Sequence, residues 1–244
     1  MRILIIRHGD PDYVNDSLTE KGKREAELLS LRLEKEDIKK IYVSPLGRAR
    51  DTAEYTLKKK EMDATVCDWL REFPILINRP DRLDKGKHVI WDWLPDTWTE
   101  IDDFYDAEKW TNVPIMKENG VREEYDRVAF EFDKLLASHG YVREGKYYRA
   151  EKSNSDTIAI FCHFGLECVL LSHLMSVSPM PLWHGFCAAP TSVTTVYSEE
   201  RRRGIASFRA CGFGDTSHLY AYGEEVAFAG RWCETYDTPG QRRD

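Results

Sequence analysis

A run of apolar residues that ends directly on two charged or titratable side chains constrains the fold of this chain more than any other feature. Residues 3–6 are all Ile or Leu, and Arg7 and His8 follow them without a spacer. A second run, residues 157–161, is apolar after its first residue, Thr157, and leads in the same way to His163. Runs of this kind are typical of strands buried on both faces of a sheet, and active sites in open α/β sheets lie at the carboxyl ends of the strands. The two histidines are therefore expected to lie at one edge of a buried sheet.

Strand-like and helix-like patterns alternate after the first strand. Small and apolar residues recur every three or four positions and predict a helix over 19–36. A second strand over 41–43 leads into a helix that carries Arg48 near its first turn, and a third strand over 65–70 leads to Glu72. Strands that alternate with helices favour right-handed crossovers between parallel strands. We therefore predict an α/β fold, a three-layer α/β/α sandwich with a mainly parallel central sheet.

The alternation breaks between about residues 73 and 149, which we interpret as a cap inserted into a single domain of residues 1–244. Four of the seven tryptophans lie in this segment, and residues 91–110 contain seven acids and one base. The spacing of apolar residues also predicts a helix over 122–138. The tryptophans either form the core of the cap or contact the substrate. The acids either face solvent or disfavour substrates that carry additional negative charge.

The composition excludes several classes of protein. The formal net charge is −7, and no block of basic residues is long enough to follow a nucleic-acid backbone, so we expect no nucleic-acid partner. No apolar segment has the length of a signal-peptide core or a membrane span, so we expect a cytoplasmic protein with no membrane partner. The six cysteines include no Cys-x-x-Cys pair. This pattern favours reduced thiols over disulfides, and we expect neither a metal nor a cofactor.

The residue types at the strand ends fit a dianionic phosphoryl group. Arg7 and Arg48 can each hold two phosphoryl oxygens through a planar guanidinium that stays charged when it is partly desolvated. One imidazole can attack phosphorus and carry the phosphoryl group, while the second imidazole and the arginines neutralise charge. Glu72 can protonate the leaving alkoxide and later accept a proton from water. Arg50 is an alternative to Arg48, but a displacement of two helical positions turns it by about 200°, so we expect it to face solvent.

Four motifs then carry a resemblance to a known family. They are, in chain order, Arg7-His8-Gly9, Ser44-Pro45-Leu46-Gly47-Arg48-Ala49, Leu70-Arg71-Glu72 and Phe161-Cys162-His163-Phe164-Gly165. With these motifs the chain resembles the histidine phosphatase superfamily, also called phosphoglycerate mutase-like, in its larger branch. The resemblance implies that His8 is the phosphorylated nucleophile and Glu72 the proton donor. It also implies a phosphate pocket of Arg7, Arg48 and His163, in which His163 takes part in catalysis as well.

The chain departs from the family pattern at two places. The family often has a hydroxyl residue three positions after the nucleophile and an asparagine six positions after it. Here Pro11 and Val14 occupy those positions, and Asn15 lies one residue further on. Whether Asn15 reaches the phosphate is an open question at this stage. The second histidine motif usually continues with glycines, whereas Phe164 follows His163 directly and is expected to narrow the pocket or line it with an apolar surface.

These observations favour a metal-independent phosphomonoesterase that hydrolyses a small phosphorylated metabolite through a phosphohistidine intermediate. A cofactor-dependent phosphoglycerate mutase is the first alternative, although the segment after His8 lacks a mutase-like continuation and the cap is acidic. A non-catalytic module that binds a phosphorylated ligand is the second alternative. All the catalytic residue types are present, which favours an enzyme over a binding module.

Overall fold

The computed structural model describes residues 1–84 and 86–243. Its strands are β1 (Arg2–Arg7), β2 (Pro11–Asp12), β3 (Ser17–Leu18), β4 (Ile38–Val43), β5 (Ala64–Val66), β6 (Leu76–Ile77), β7 (His88–Val89), β8 (Tyr141–Glu144), β9 (Tyr147–Ala150), β10 (Thr157–Cys162), β11 (Val193–Arg202) and β12 (Ile205–Asp215). Its α-helices are α1 (Glu20–Glu34), α2 (Gly47–Lys60), α3 (Pro95–Trp98), α4 (Pro114–Lys117), α5 (Val121–Ser138), α6 (Phe164–Met175), α7 (Pro179–Gly185) and α8 (Ser217–Tyr220). Short 3₁₀ turns cover Asp68–Leu70, Asp102–Tyr105 and Trp110–Asn112.

Eight strands of the described residues form one mixed sheet, in the order β5-β4-β10-β1-β11-β12-β9-β8. Strands β5, β4, β10 and β1 run parallel to one another. Strands β11, β12, β9 and β8 extend the sheet in antiparallel pairs. Each apolar run of the sequence lies in the parallel half, where β1 and β10 are neighbours at the centre of the sheet. The α/β fold is therefore confirmed, and the sheet continues beyond its parallel half with antiparallel strands.

Helices cover both faces of the sheet, and alternate residues of β1 show why. Leu4 and Ile6 belong to the apolar cluster beneath α1 and α2, whereas Ile3 and Ile5 belong to the larger cluster beneath α5 and α6. Successive side chains of a strand point to opposite faces. A strand that is apolar at every position is therefore stable only when both faces are covered, as they are here.

Two glycines allow the loops after β1 to lie close to the helices. A Cβ atom added at Gly22 in α1 would lie 2.2 Å from the carbonyl oxygen of Asp10. A Cβ atom added at Gly47, the first residue of α2, would lie 2.0 Å from the carbonyl oxygen of Asp16. Any larger side chain at either position would push away the loop that follows the nucleophile motif. These contacts fix the start of α2, and with it Arg48, against that loop.

The third strand is shorter than the predicted 65–70. It ends at Val66, and residues 68–70 form a 3₁₀ turn instead. The reason is that β5 is the edge strand of the sheet, where Thr65 and Val66 are exposed, so only a turn toward the interior buries Trp69 and Leu70. This turn brings Glu72 back toward the strand ends.

The segment of residues 73–149, which the sequence indicates as a cap, contains two kinds of structure. Its first part holds the small β6–β7 sheet and the short helices α3 and α4. Its second part holds α5, close to the predicted helix over 122–138, and β8, which forms a hairpin with β9 at the edge of the main sheet. Trp93 and Trp110 are 4% and 0% exposed, so they are part of the core. Trp98 is only partly buried.

The described part of the chain has no helix that is both long and apolar enough to span a membrane. Its six cysteines are unpaired. Cys162 and Cys168 are buried in the core, whereas Cys187 and Cys211 are exposed. The cysteines are therefore less uniformly buried than their apolar sequence context indicates.

Candidate active site

The parallel strands bring all five sequence-predicted site residues to one edge of the sheet. His8 follows β1, His163 follows β10, and Arg48 lies in the first turn of α2 after β4. Glu72 follows the 3₁₀ turn after β5. The ring centroids of His8 and His163 are 5.1 Å apart, with the ring planes tilted by 57°. The two imidazoles are therefore neighbours at this edge of the sheet.

His8 is held as a neutral imidazole. The side chain is 2% exposed, and its Nδ1 atom lies 2.7 Å from the carbonyl oxygen of Gly9. A carbonyl can only accept, so this contact assigns the proton to Nδ1 and the lone pair to Nε2. Burial, with the nearby positive charge of Arg7, lowers the pKa of His8 well below its usual value of 6.5. A buried neutral imidazole with a free lone pair is a competent nucleophile.

Two backbone carbonyls accept hydrogen bonds from the Arg7 guanidinium, and one of them belongs to the C-terminal segment, residues 225–243. Its Nη1 atom donates hydrogen bonds to the carbonyl oxygens of Ala188 and Ala229, the latter at 3.3 Å. A Cβ atom added at Gly230, which has φ of +89°, would lie 2.8 Å from the same nitrogen. The Nε atom of Arg7 is buried and has no hydrogen-bond partner among the described residues. That unpaired N–H remains available to an oxygen-rich ligand.

Arg48 is positioned by Asp16, a residue that the sequence patterns did not single out. Its Nη1 atom lies 2.6 Å from Oδ1 of Asp16, whose Oδ2 accepts a hydrogen bond of 2.7 Å from the N–H of Gly47. Asp16 has φ of +46°, an uncommon backbone conformation for a residue with a side chain. The Nε atom of Arg48 is buried and unpaired within the described structure. Asp16 thus fixes one end of the guanidinium and leaves donors for a ligand.

His163 is positioned by Ser44, a second residue whose role the sequence did not reveal. The Nε2 atom of His163 lies 2.8 Å from Oγ of Ser44, which also accepts a hydrogen bond of 3.2 Å from the N–H of Leu46. Either atom can be the donor in this contact, which leaves the second ring nitrogen, Nδ1, for another partner. Nδ1 is buried without a partner among the described residues. Burial, and then the nearby His8, lower the pKa of His163 well below 6.5.

Glu72 lies at the N-terminus of α6. Its Oε1 atom accepts hydrogen bonds of 2.9 Å from the N–H groups of Phe73 and Leu166, and Oε2 lies 3.4 Å from the N–H of Gly165. Burial raises the pKa of Glu72, and these N–H groups offset only part of the effect. A Cβ atom added at Gly165 would lie 2.5 Å from the ring of Trp91 and 2.7 Å from Oε1 of Glu72. A glycine is therefore needed where the carboxyl and the indole meet.

The residues at which the sequence departs from the family pattern lie at the edge of this pocket or outside it. Val14 is 93% exposed, and the side-chain amide of Asn15 donates a hydrogen bond of 2.7 Å to Asp12 in an exposed turn. Phe164 lines a recess beside the pocket. Arg50 is exposed.

No group of three or more His, Cys, Asp or Glu residues in the described ranges is arranged to hold a metal ion.

A sheet edge with two neutral imidazoles, two guanidiniums that carry unpaired donors, and a buried carboxyl defines a phosphoryl-transfer enzyme. A sequence model of the histidine phosphatase superfamily, branch 1, matches residues 3–210. The chain belongs to this family. The prediction of a phosphoric monoester hydrolase is confirmed at the level of the family.

Proteins with similar sequences or folds include several phosphatases. Phosphoserine phosphatase 1 of Hydrogenobacter thermophilus is 22% identical over 228 residues, which cover 88% of this chain and 95% of that protein. A phosphoserine phosphatase from Entamoeba histolytica, solved in complex with phosphoserine, has a similar structure, with a TM-score of 0.58, 18% identity and coverage of 89% and 98% of the two chains. A mycobacterial glucosyl-3-phosphoglycerate phosphatase has a TM-score of 0.58, 20% identity and coverage of 87% and 98%. The structural matches show that the fold is shared.

Proposed function

We propose that this protein is a metal-independent phosphomonoesterase that hydrolyses a small phosphorylated metabolite through a phosphohistidine intermediate on His8. The observation that carries the proposal is the state of His8, a buried imidazole that is neutral, donates through Nδ1 to Gly9 and keeps its lone pair on Nε2. Its ring lies beside that of His163 and close to the charge of Arg7.

In the first step Nε2 of His8 attacks phosphorus, the bond between phosphorus and the ester oxygen breaks, and the leaving alkoxide takes a proton from Glu72. The raised pKa of the Glu72 carboxyl favours the protonated form that this step requires. In the second step water attacks the phosphohistidine, its proton passes to Glu72, and His8 leaves phosphorus as a neutral imidazole. Glu72 thus ends the cycle protonated, as it began.

Arg7, Arg48 and His163 bind the phosphoryl oxygens and stabilise the charge that develops on them. Three buried nitrogens support this role because each lacks a partner in the described structure: Nε of Arg7, Nε of Arg48 and Nδ1 of His163. In the proposed state the Ser44 hydroxyl donates to Nε2 of His163, so that Nδ1 carries the ring proton. Buried donors without partners are rare in proteins and are stabilised when a ligand oxygen accepts from them. Such fixed donors act most strongly on the charge of the transition state.

The phosphoryl pocket, the proposed cap and the rest of the chain form a single domain of residues 1–244 in this proposal, with the cap inserted at about 73–149. We propose a cytoplasmic location and a small-molecule substrate. The net charge of −7 supports a partner other than nucleic acid.

Brief exposure of the enzyme to substrate, followed by denaturation, tests the intermediate. We expect the wild type to carry an acid-labile phosphoryl group on His8, and His8→Ala to carry none and to release no phosphate. His88→Ala serves as the matched control, since His88 lies in β7 away from the strand ends, and should behave as the wild type. Wild-type turnover in His8→Ala would refute the mechanism. Transfer of the phosphoryl group to 3-phosphoglycerate in preference to water would identify a mutase instead.

A further inference from the structure

A recess with aromatic walls adjoins the proposed phosphate pocket. Its volume is about 430 Å³, and Phe164, Trp98, Trp183 and Trp232 contribute to its walls. Phe164 directly follows His163 in the chain. The indole N–H of Trp183 donates a hydrogen bond of 2.9 Å to the carbonyl oxygen of Gly165, which fixes this wall to the first turn of α6. The position of the recess suits the alcohol part of a phosphomonoester whose phosphoryl group lies beside His8.

A second wall of the recess also contacts the phosphate pocket. Gly230 lines the recess and lies against the guanidinium of Arg7. Sγ of Cys187, another lining residue, lies 3.5 Å from the carbonyl oxygen of Gly230. The recess and the pocket are therefore neighbouring parts of one site, separated by these groups and by Phe164.

Asp92 supplies the carboxylate of the recess from a strained backbone. Its φ is +65°, in the left-handed region that residues with a side chain rarely adopt, and its side chain is only 20% exposed. Strained conformations of this kind persist where the surrounding structure imposes them, and they cluster at functional sites. Its carboxylate interacts with the positive charges of Arg242, Arg79 and Arg7 and with the indole of Trp232.

One of these positive groups, Arg242, contacts two residues that line the recess. The guanidinium of Arg242 lies 3.7 Å from the ring centroid of Trp232, and its Nη2 atom is 3.5 Å from Oδ2 of Asp92. An aromatic face beside a carboxylate is the arrangement by which proteins bind ammonium groups. The side chain of Arg242 is 49% exposed, so a competing cation can displace it into solvent.

We propose that Asp92 and the tryptophans of this recess form a subsite for a cationic amine, and that the substrate is a phosphomonoester of an amino alcohol. Arg242 occupies the subsite in the free enzyme and leaves it when the substrate cation enters. The inference rests on the proposed function, because it assigns the leaving-group side of the same active site.

Two esters of matched shape test the subsite. Phosphocholine carries a quaternary ammonium group, and 3,3-dimethylbutyl phosphate has a neutral carbon in place of that nitrogen. We expect kcat/KM for phosphocholine to exceed that for the neutral ester by about tenfold or more, the size of a desolvated cation–π contact with a carboxylate nearby. Asp92→Asn should lower this ratio several-fold, because the carboxylate is lost while the tryptophan faces remain. Asp96→Asn is the matched control, since Asp96 is an exposed acid of α3, and should keep the wild-type ratio.

Removal of the Arg242 side chain should strengthen binding of the cationic ester, whereas Asp92→Asn should weaken it. Arg242→Ala should lower KM for phosphocholine and leave KM for the neutral ester unchanged, because only the cationic ester needs the place that Arg242 occupies. Far-UV circular dichroism and thermal unfolding show whether the Asp92 and Arg242 variants are folded. Calorimetric titration of His8→Ala with each of the two esters measures the same preference in the absence of turnover.

The outcomes separate the subsite from the mechanism. Equal kcat/KM for the two esters, with p-nitrophenyl phosphate hydrolysed normally, would overturn the cation subsite and leave the phosphatase standing. A preference for phosphocholine that is undiminished in folded Asp92→Asn would also overturn it. Failure to hydrolyse either ester or p-nitrophenyl phosphate would overturn the proposed function itself.

Discussion

Replacement of Glu167 by glutamine should change how the stability of the fold depends on pH. Glu167 lies one turn after His163 on α6, where its N–H donates to the carbonyl oxygen of His163 at 2.9 Å. The side chain is 1% exposed, and neither carboxyl oxygen has a hydrogen-bond partner of good geometry among the described residues. Burial raises the pKa of Glu167 from 4.5 to about 7, and the nearby Thr194 hydroxyl offsets this only in part.

The sign of the effect follows from the two pKa values. Because the pKa of Glu167 is higher in the folded than in the unfolded protein, the folded protein binds more protons between 4.5 and about 7, and stability falls as the pH rises through this range. Between about pH 5 and about pH 8 the ionisation of Glu167 destabilises the fold by about 2.5 kcal/mol. A glutamine has the shape of the protonated carboxyl and does not titrate, so Glu167→Gln is free of this effect.

Urea unfolding of both proteins at about pH 5 and about pH 8 measures the difference. At each pH we subtract the free energy of unfolding of the wild type from that of Glu167→Gln. We expect this difference to be about 2.5 kcal/mol larger at the higher pH than at the lower. His8 and His163 also make the stability depend on pH. Their pKa values are lowered on folding, so the fold loses stability as the pH falls below 6.5. This effect is the same in both proteins and cancels in the comparison. Glu100→Gln, at an exposed position, should give no such difference. Parallel profiles for Glu167→Gln and wild type would refute the reasoning.

Four further substitutions and one inhibition experiment test the catalytic residues and their support. Glu72→Gln should slow hydrolysis of an alkyl phosphate by about 10²-fold more than that of p-nitrophenyl phosphate, whose leaving group needs little protonation; equal slowing of both would indicate a structural role. Arg48→Ala and His163→Ala should each lower kcat/KM by about 10²-fold or more, and unchanged kinetics would remove that residue from the pocket. Asp16→Ala should weaken inhibition by inorganic phosphate by about tenfold, because Arg48 loses its charge-assisted hydrogen bond; an unchanged inhibition constant would contradict the positioning role of Asp16. Activity should persist in excess chelator and be inhibited by vanadate, whereas loss on chelation that a divalent ion restores would overturn the mechanism.

The sequence was most informative where one physical requirement determined both residue type and position. A strand buried on two faces must be apolar throughout, so β1 and β10 could be located, and the residues that end them could be assigned to one edge of the sheet. The antiparallel half carried a weaker signal, because strands such as β12 alternate buried and exposed residues. The end of β5 was misplaced since Trp69 and Leu70 are apolar and buried but lie in a turn.

The positioning residues could not be found in the same way. Ser44 is followed by a proline shortly before α2, a pattern that indicates the start of a helix and says nothing of a contact with His163. Asp16 lies in a loop without any periodic pattern, and only the left-handed backbone there turns its carboxylate toward Arg48. The contact of Gly230 with Arg7 joins residues more than two hundred positions apart, a distance over which local patterns carry no information.

That last contact makes the C-terminal segment a reporter of what the pocket holds. Its described residues form neither helix nor strand, and the bonds that tie it to the rest of the molecule include those from Arg7 to Ala229, from Lys21 to Glu225 and from Arg242 to Asp92. Segments without regular secondary structure often open locally at a small fraction of the free energy of global unfolding. A phosphoryl group that fixes Arg7 also fixes the carbonyls to which Arg7 donates, so occupancy and closure are thermodynamically linked. Proteolytic cleavage within residues 225–243 should therefore slow when vanadate fills the pocket. The rest of the fold should show no change under the same conditions.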